Sequence, residues 1–150
     1  MRTLLQNYYL LSGTLDDFFN LLKPLALLSA RIYIASVFFA SGLTKLRDWD
    51  STLFLFEEEY SVPLLNPELA AYLGTGAELL LPVLLLLGLF SPIGAIGLSV
   101  LNIVAVISLE EIAPAAFTLH IVWGLLLALL VIWGPGKIAL DKPLKSRYSI

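Results

Sequence analysis

A chain of 150 residues that is 59% hydrophobic and 14% charged, with a mean hydropathy of +0.88, is not composed like a soluble domain. Soluble domains carry about 45–50% apolar and about 25% charged residues. A net charge of −3 argues against a nucleic-acid surface. The absence of cysteine excludes a disulfide framework, a thiolate nucleophile, an iron–sulfur cluster or a CxxC relay on this chain. The composition is that of an integral membrane protein whose first partner is the lipid bilayer.

Residues 4–22 are apolar but carry Asp16 and Asp17. Thr14 and Asp17 have capping-box spacing, and Leu15, Phe18, Phe19 and Leu22 share one helical face. This predicts an amphipathic, interfacial N-terminal segment over residues 1–23. No cleavable signal peptide is expected. The segment is not basic, and Lys45 follows the apolar stretch where a cleavage site would fall.

A bilayer core of about 30 Å takes about 20 apolar residues in a helix. Four stretches qualify, at about residues 24–46, 68–90, 92–109 and 114–134, followed by a tail over 135–150. Pro24 suits a first helical turn, and Gly134-Pro135-Gly136 reads as a helix stop. Only Ser91 and Pro92 separate the second and third stretches, which predicts a tight antiparallel hairpin. The expected fold is therefore all-α and membrane-integral: a four-transmembrane-helix bundle preceded by the interfacial helix.

Charge gives the orientation. On the side of the loops after the first and third spans, Lys45 and Arg47 are outnumbered by Asp48, Asp50, Glu57, Glu58, Glu59, Glu68, Glu110 and Glu111. On the other side, Arg2, Lys23, Lys137, Lys142, Lys145 and Arg147 outnumber Asp16, Asp17 and Asp141. The positive-inside rule then puts both termini in the cytoplasm and an acidic loop over residues 47–67 outside. Glu57, Glu58 and Glu59 read as its solvated face, and Trp49, Tyr60 and Trp133 as interfacial belt anchors.

Ionisable groups at membrane depth are costly and mark function or a buried pair. The spans contain Arg31, Glu78, Asn102 and His120, with Lys45 at the outer edge of the first. Arg31 and Lys45 stand about four turns apart, so they share a face with Ser41 and Gly42. Trp123 and Gly124 lie one turn from His120. Pro82 cannot donate to the Glu78 carbonyl and crowds it. The expectation is a polar ladder through the bundle in which Arg31 reaches Glu78. The plainer alternatives are an Arg31–Glu78 lock between helices, a hydrogen-bonded His120, and Asn102 as interhelical glue. One histidine and no cysteine make a metal site unexpected. Gly74, Gly76, Gly94 and Gly97 are candidates for close helix approach.

These segments resemble the DoxX family of small four-helix bacterial membrane proteins. The likeness rests on Ser41-Gly42-Leu43-Thr44-Lys45-Leu46, on Tyr60-Ser61-Val62-Pro63-Leu64-Leu65, and on Pro67-Glu68-Leu69-Ala70-Ala71-Tyr72. It continues with Glu78-Leu79, Pro82-Val83-Leu84 and Gly88-Leu89-Phe90, His120 with Trp123, and Gly134-Pro135-Gly136-Lys137-Ile138-Ala139-Leu140-Asp141. Where the family often has a threonine and a glutamine in the third span, this chain reads Asn102-Ile103-Val104-Ala105-Val106-Ile107-Ser108. A tyrosine–proline motif in the next loop is replaced by Glu110-Glu111-Ile112-Ala113-Pro114. The resemblance implies a multi-pass protein of the bacterial inner membrane with a loose redox association.

The functional expectation is a quinone-binding or redox-associated membrane subunit. Its ligand pocket would be built from Arg31, Lys45, Glu78, Asn102, His120 and Trp123. The chain holds no self-contained catalytic motif, intrinsic cofactor signature or metal set. Quinone is the one cofactor in view, and electrons would come from a partner oxidoreductase. Two other readings stand beside it: a small-solute or lipid binding or transport bundle, acting as a homo-oligomer, and an assembly factor for a client membrane protein.

Overall fold

The computed structural model describes the backbone of residues 2–141 and 146–147, and the side chains from Ser12 onward within those ranges, Thr14 excepted. The side chains of Arg2, Lys142, Lys145 and Thr14, which entered the charge and capping arguments, lie outside the described set. Among the described residues five named helices follow in order: α1 (Arg2–Arg47), α2 (Trp49–Glu58), α3 (Pro67–Leu87), α4 (Ser91–Ile107) and α5 (Pro114–Trp133). No strand forms among the described residues, and Tyr60 and Leu109 make an isolated antiparallel bridge.

The helix start expected at Pro24 is absent, because α1 runs unbroken through it. Pro24 withholds one N–H, from the carbonyl of Asn20. The flanking Leu21, Leu22, Leu25, Ala26, Leu27 and Leu28 are strong helix formers that carry the helix across. Thr14 is mid-helix as well, so Thr14 and Asp17 cap no helix start. At about 1.5 Å per residue the 46 residues of α1 run about 70 Å, well beyond a bilayer core. The side chains of residues 15–23 are all exposed, while Leu27, Ile34 and Phe38 are buried. The packed bundle therefore begins near Leu27, and the earlier part of α1 projects past it.

The expected acidic loop is also more ordered than its charges suggested, since it contains α2. Asp48 caps this helix by accepting from Ser51 N at 3.0 Å and Ser51 Oγ at 2.6 Å. The α2 residue Phe56 packs on Ala70 and Ala71 of α3, with Trp49, Leu53, Tyr60 and Val62 around them. Asn66 caps α3 through Leu69 N at 2.8 Å, with Pro67 in the first turn. The turn from α3 to α4 falls at Gly88–Phe90, slightly before the expected Ser91-Pro92, and α5 stops at Gly134 as its Gly-Pro-Gly signal requires.

Helix α1 packs chiefly on α3, and α4 sits between α3 and α5. Gly42 allows the α1–α3 approach: a Cβ there would lie 3.0 Å from the Leu79 side chain and 3.1 Å from the Glu78 Cβ. Of the other glycines, Gly94 and Gly97 meet Leu85 and Leu81 across the α3–α4 contact, Gly74 faces the Phe56 ring, and Gly76 faces open space. The core joins Leu27, Ile34, Phe38, Leu85, Leu98, Leu127 and Leu130. The outer surface stays apolar, with Leu80, Leu125 and Ile132 about two-thirds or more exposed. Apolar side chains turned outward over whole helices suit hydrocarbon, not water. Three helical segments, Leu15–Arg47, Pro67–Leu87 and Pro114–Trp133, are long and apolar enough to cross a membrane. The 17 residues of α4 are apolar but shorter.

Candidate functional site

The polar residues of the spans form three separate clusters. The ladder expected from sequence is corrected by the geometry of the first, because Arg31 and Glu78 do not meet. Arg31 is only 1% exposed, and its guanidinium spreads over backbone carbonyls. Nε donates to Leu85 O at 2.8 Å, Nη1 to Pro135 O at 2.9 Å and Ile138 O at 2.5 Å, and Nη2 to Leu86 O. The last carbonyls of a helix have no intrahelical donor, so the end of α3 offers acceptors that a planar five-donor fork fits. Glu78 stands about 12 Å further along α3, two turns from this end.

The tail completes the same knot. Leu140 N and Asp141 N donate to Leu87 O and Gly88 O, and the Asp141 carboxylate attracts the Arg31 charge. Asp141 also accepts from Phe90 N at 2.9 Å and Ser91 N at 3.0 Å, capping α4 from across the chain where Phe90 has no side-chain cap of its own. Gly88 is obligatory here. Its φ is +67°, and a Cβ would lie 2.6 Å from the Ala139 Cβ and 2.8 Å from Arg31 Nη2. The Arg31 guanidinium gives its hydrogen bonds to backbone carbonyls and Asp141 accepts from backbone N–H groups, so the chemistry of this cluster is that of a structural clasp.

The second cluster lies toward the other end of α1. Lys45 Nζ is 2.5 Å from Glu78 Oε2, with the two side chains 21% and 12% exposed. Ser41 Oγ bridges them, donating to Glu78 Oε1 at 3.2 Å and accepting from Lys45 Nζ at 3.0 Å. An ammonium has three donors; two are used here, and the third meets no protein acceptor among the described residues. Beside this pair a cavity of about 300 Å³ opens between α3 and α4. Lys45, Glu78, Tyr60 and Ser108 contribute its polar groups, and Phe56, Val62, Leu73, Val100, Leu101 and Val104 much of its apolar wall. Tyr60 packs at a tilt against Phe56, ring centroids 4.9 Å apart with the planes at 46°. Burial, then the charges of Glu78 and Glu59, raise the Tyr60 phenol above the usual tyrosine value.

The third cluster joins α4, α5 and α1. Asn102 Oδ1 lies 2.8 Å from His120 Nδ1, and Asn102 Nδ2 donates to His120 O at 3.0 Å. The imidazole stands edge-on to Trp123, which packs on Phe38 and whose Nε1 is 3.3 Å from the Tyr33 hydroxyl. A shallower space of about 190 Å³ beside Asn102, Phe117 and His120 is distinct from the Lys45–Glu78 cavity. Of the six residues expected to share one pocket, the fold thus brings together Lys45 and Glu78, places Asn102, His120 and Trp123 in another group, and sends Arg31 to a third. No group of three or more metal-ligating side chains forms among the described residues.

Sequence reasoning missed Tyr60 and Ser108 as cavity residues and Asp141 as the remote cap of α4. Tyr60 read as a belt aromatic, because nothing local shows that the chain after α2 folds back over the cavity. The signal for the clasp was present: one arginine in a span with no carboxylate at its level needs carbonyl acceptors.

A protein of Haemophilus influenzae, itself described as uncharacterized, is 28% identical over 132 residues, spanning 82% of this chain and 85% of that protein. No solved structure matches the chain. The DoxX family model matches residues 26–111, taking in Arg31, Lys45, Glu78, Asn102 and the cavity between α3 and α4, and the chain belongs to the DoxX family.

Proposed function

We propose that this DoxX-family chain is a membrane-embedded binding subunit that seats a quinone head group against the Lys45–Glu78 pair and works with a partner oxidoreductase. The carrying observation is the cavity itself: about 300 Å³, mostly apolar, with a few polar groups in its lining. That is the construction of a small-molecule site. The residues suit a quinone. The free Lys45 donor fits a ring carbonyl oxygen, Glu78 holds the ammonium in place, and Tyr60 adds a hydroxyl beside a flat apolar wall. A quinone supplies two-electron carriage within the bilayer, and the cysteine-free chain leaves the electron source to the partner.

In this reading all four long helices cross a bacterial inner membrane, α4 included. Both termini face the cytoplasm, and the cavity lies in the outer half beneath α2. Asn102, His120 and Trp123 fix α4 to α5 and α1, and Arg31 closes the cytoplasmic end. The test is tryptophan-fluorescence quenching of the purified chain in nanodiscs by a decyl-substituted benzoquinone. Saturable quenching is expected, weakened about tenfold or more by Glu78→Gln and Lys45→Met, each removing a charge-assisted contact. Non-saturable quenching, or binding indifferent to both substitutions, would refute the reading. Equal competition by an alkyl amphiphile lacking the quinone ring would point instead to a lipid-binding site.

A further inference from the structure

The cavity is walled unevenly, and its walls tell where a ligand comes from. Above it the chain is tied down. Phe56 of α2 is only 8% exposed, Ser61 N donates to Ser108 O at 2.8 Å, and Tyr60 bridges Leu109. Thr52 fastens the start of α2 to the end of α1, its hydroxyl donating to Lys45 O at 3.0 Å. The water-facing side is thus roofed by α2 and the segment after it, held at Tyr60 and Ser61.

Between α3 and α4 the cavity opens past small residues, Gly74 and Ala77 on one helix and Ala105 on the other, and this opening is the slot; Gly97 is closed over by the Leu81 side chain. Leu73 and Val100 line the same cavity and are 54% and 55% exposed, which makes them its rim. Both sit on apolar helices, Leu73 within a segment able to cross the membrane, so the rim faces hydrocarbon. The polar end, Lys45 and Glu78, lies deeper, against α1.

We infer that the ligand enters sideways from the bilayer through the α3–α4 slot and remains there with a hydrocarbon tail in lipid and its polar head at Lys45. This deepens the binding reading and rests on it: the ligand class becomes a tailed, membrane-partitioned amphiphile, and α2 serves as a fixed roof.

The natural lack of cysteine supplies the test. Val100→Cys carries a single thiol at the rim, and Leu125→Cys one on α5, 67% exposed and absent from the cavity wall. Each variant in nanodiscs is titrated with decyl-benzoquinone before and after alkylation by a bulky maleimide. Alkylation at Val100→Cys is expected to weaken binding about tenfold and slow association, with no change at Leu125→Cys. Ser61→Pro, which removes the N–H bonded to Ser108, is expected to leave the association rate unaltered. If alkylated Val100→Cys binds as before while Glu78→Gln still weakens binding, lateral entry is wrong and the site stands. Faster association in Ser61→Pro would likewise overturn lateral entry in favour of a route beneath the roof. Absence of binding in the unmodified chain sinks both.

Discussion

Arg31 and Lys45 lie on one helix, close to one face, and do different jobs because of what opposes them. Arg31 meets helix-end and tail carbonyls, which a fork of donors satisfies completely. Lys45 meets a single carboxylate and a hydroxyl, and keeps a proton spare at a cavity wall. A point charge with rotatable donors is the more adaptable ligand contact, and the planar fork the better clasp. Tyr60 reports on this electrostatic setting. Its phenol is raised above 10.0 by burial and by the Glu78 and Glu59 charges. A raised folded value means its contribution to stability is intact below about pH 10 and lost as the pH climbs through the folded midpoint. Glu78→Gln should therefore move the Tyr60 midpoint downward in an ultraviolet titration at tyrosinate wavelengths, compared against a Tyr60→Phe control. An unmoved midpoint would show that the two groups do not interact.

Among the elements, the turn between α3 and α4 is the most constrained. Gly88 has a left-handed backbone, contacts Ala139 and Arg31, and gives its carbonyl to Asp141 N. Gly88→Ala would meet both strain and collision, and is expected to cost about 2–3 kcal/mol, read as a lowered Tm in detergent. Freed from the clasp, the tail should also become open to protease around residues 135–141. A Tm within a degree of the parent would show that the turn relaxes freely. The pattern of the sequence revealed the turn and the stop at Gly134, because Gly and Pro impose backbone geometry locally. It did not reveal α2, whose stability comes from Phe56 against Ala70 and Ala71, or the continuity of α1 through Pro24, where leucine-rich flanks outweigh one missing hydrogen bond.

The whole molecule is a bundle with an apolar core, a few polar clusters set within it, and apolar side chains on the perimeter as well. The charge asymmetry of its loops makes the topology testable in the same cysteine-free background. Ser51→Cys, exposed on α2, should react with an impermeant maleimide only in right-side-out vesicles, and Lys137→Cys only in inverted ones. Labelling of both from one side would contradict the odd number of crossings, by α3, α4 and α5, expected between them. The two sites lie at opposite ends of the bundle, one beside the roofed cavity and the other beside the Arg31 clasp, so the experiment also assigns the cavity to a leaflet.

Composition and periodicity were enough to read a helical membrane protein, and the motifs along α1, the α2–α3 connection and α3 were enough to read its family. Those properties are sums over local choices: each apolar residue, cap and breaker acts within a few positions of itself. Which buried charges meet could not be read in this way. The reach of a long arginine side chain across their difference in depth made Arg31 and Glu78 look like partners, but pairing depends on where α3 ends, where the tail folds back and how closely Gly42 lets two helices approach. Tertiary structure alone decided that Lys45 takes Glu78, that Arg31 takes backbone, and that a cavity opens beside the first pair, because an ion's partner is set by nearest distance in three dimensions.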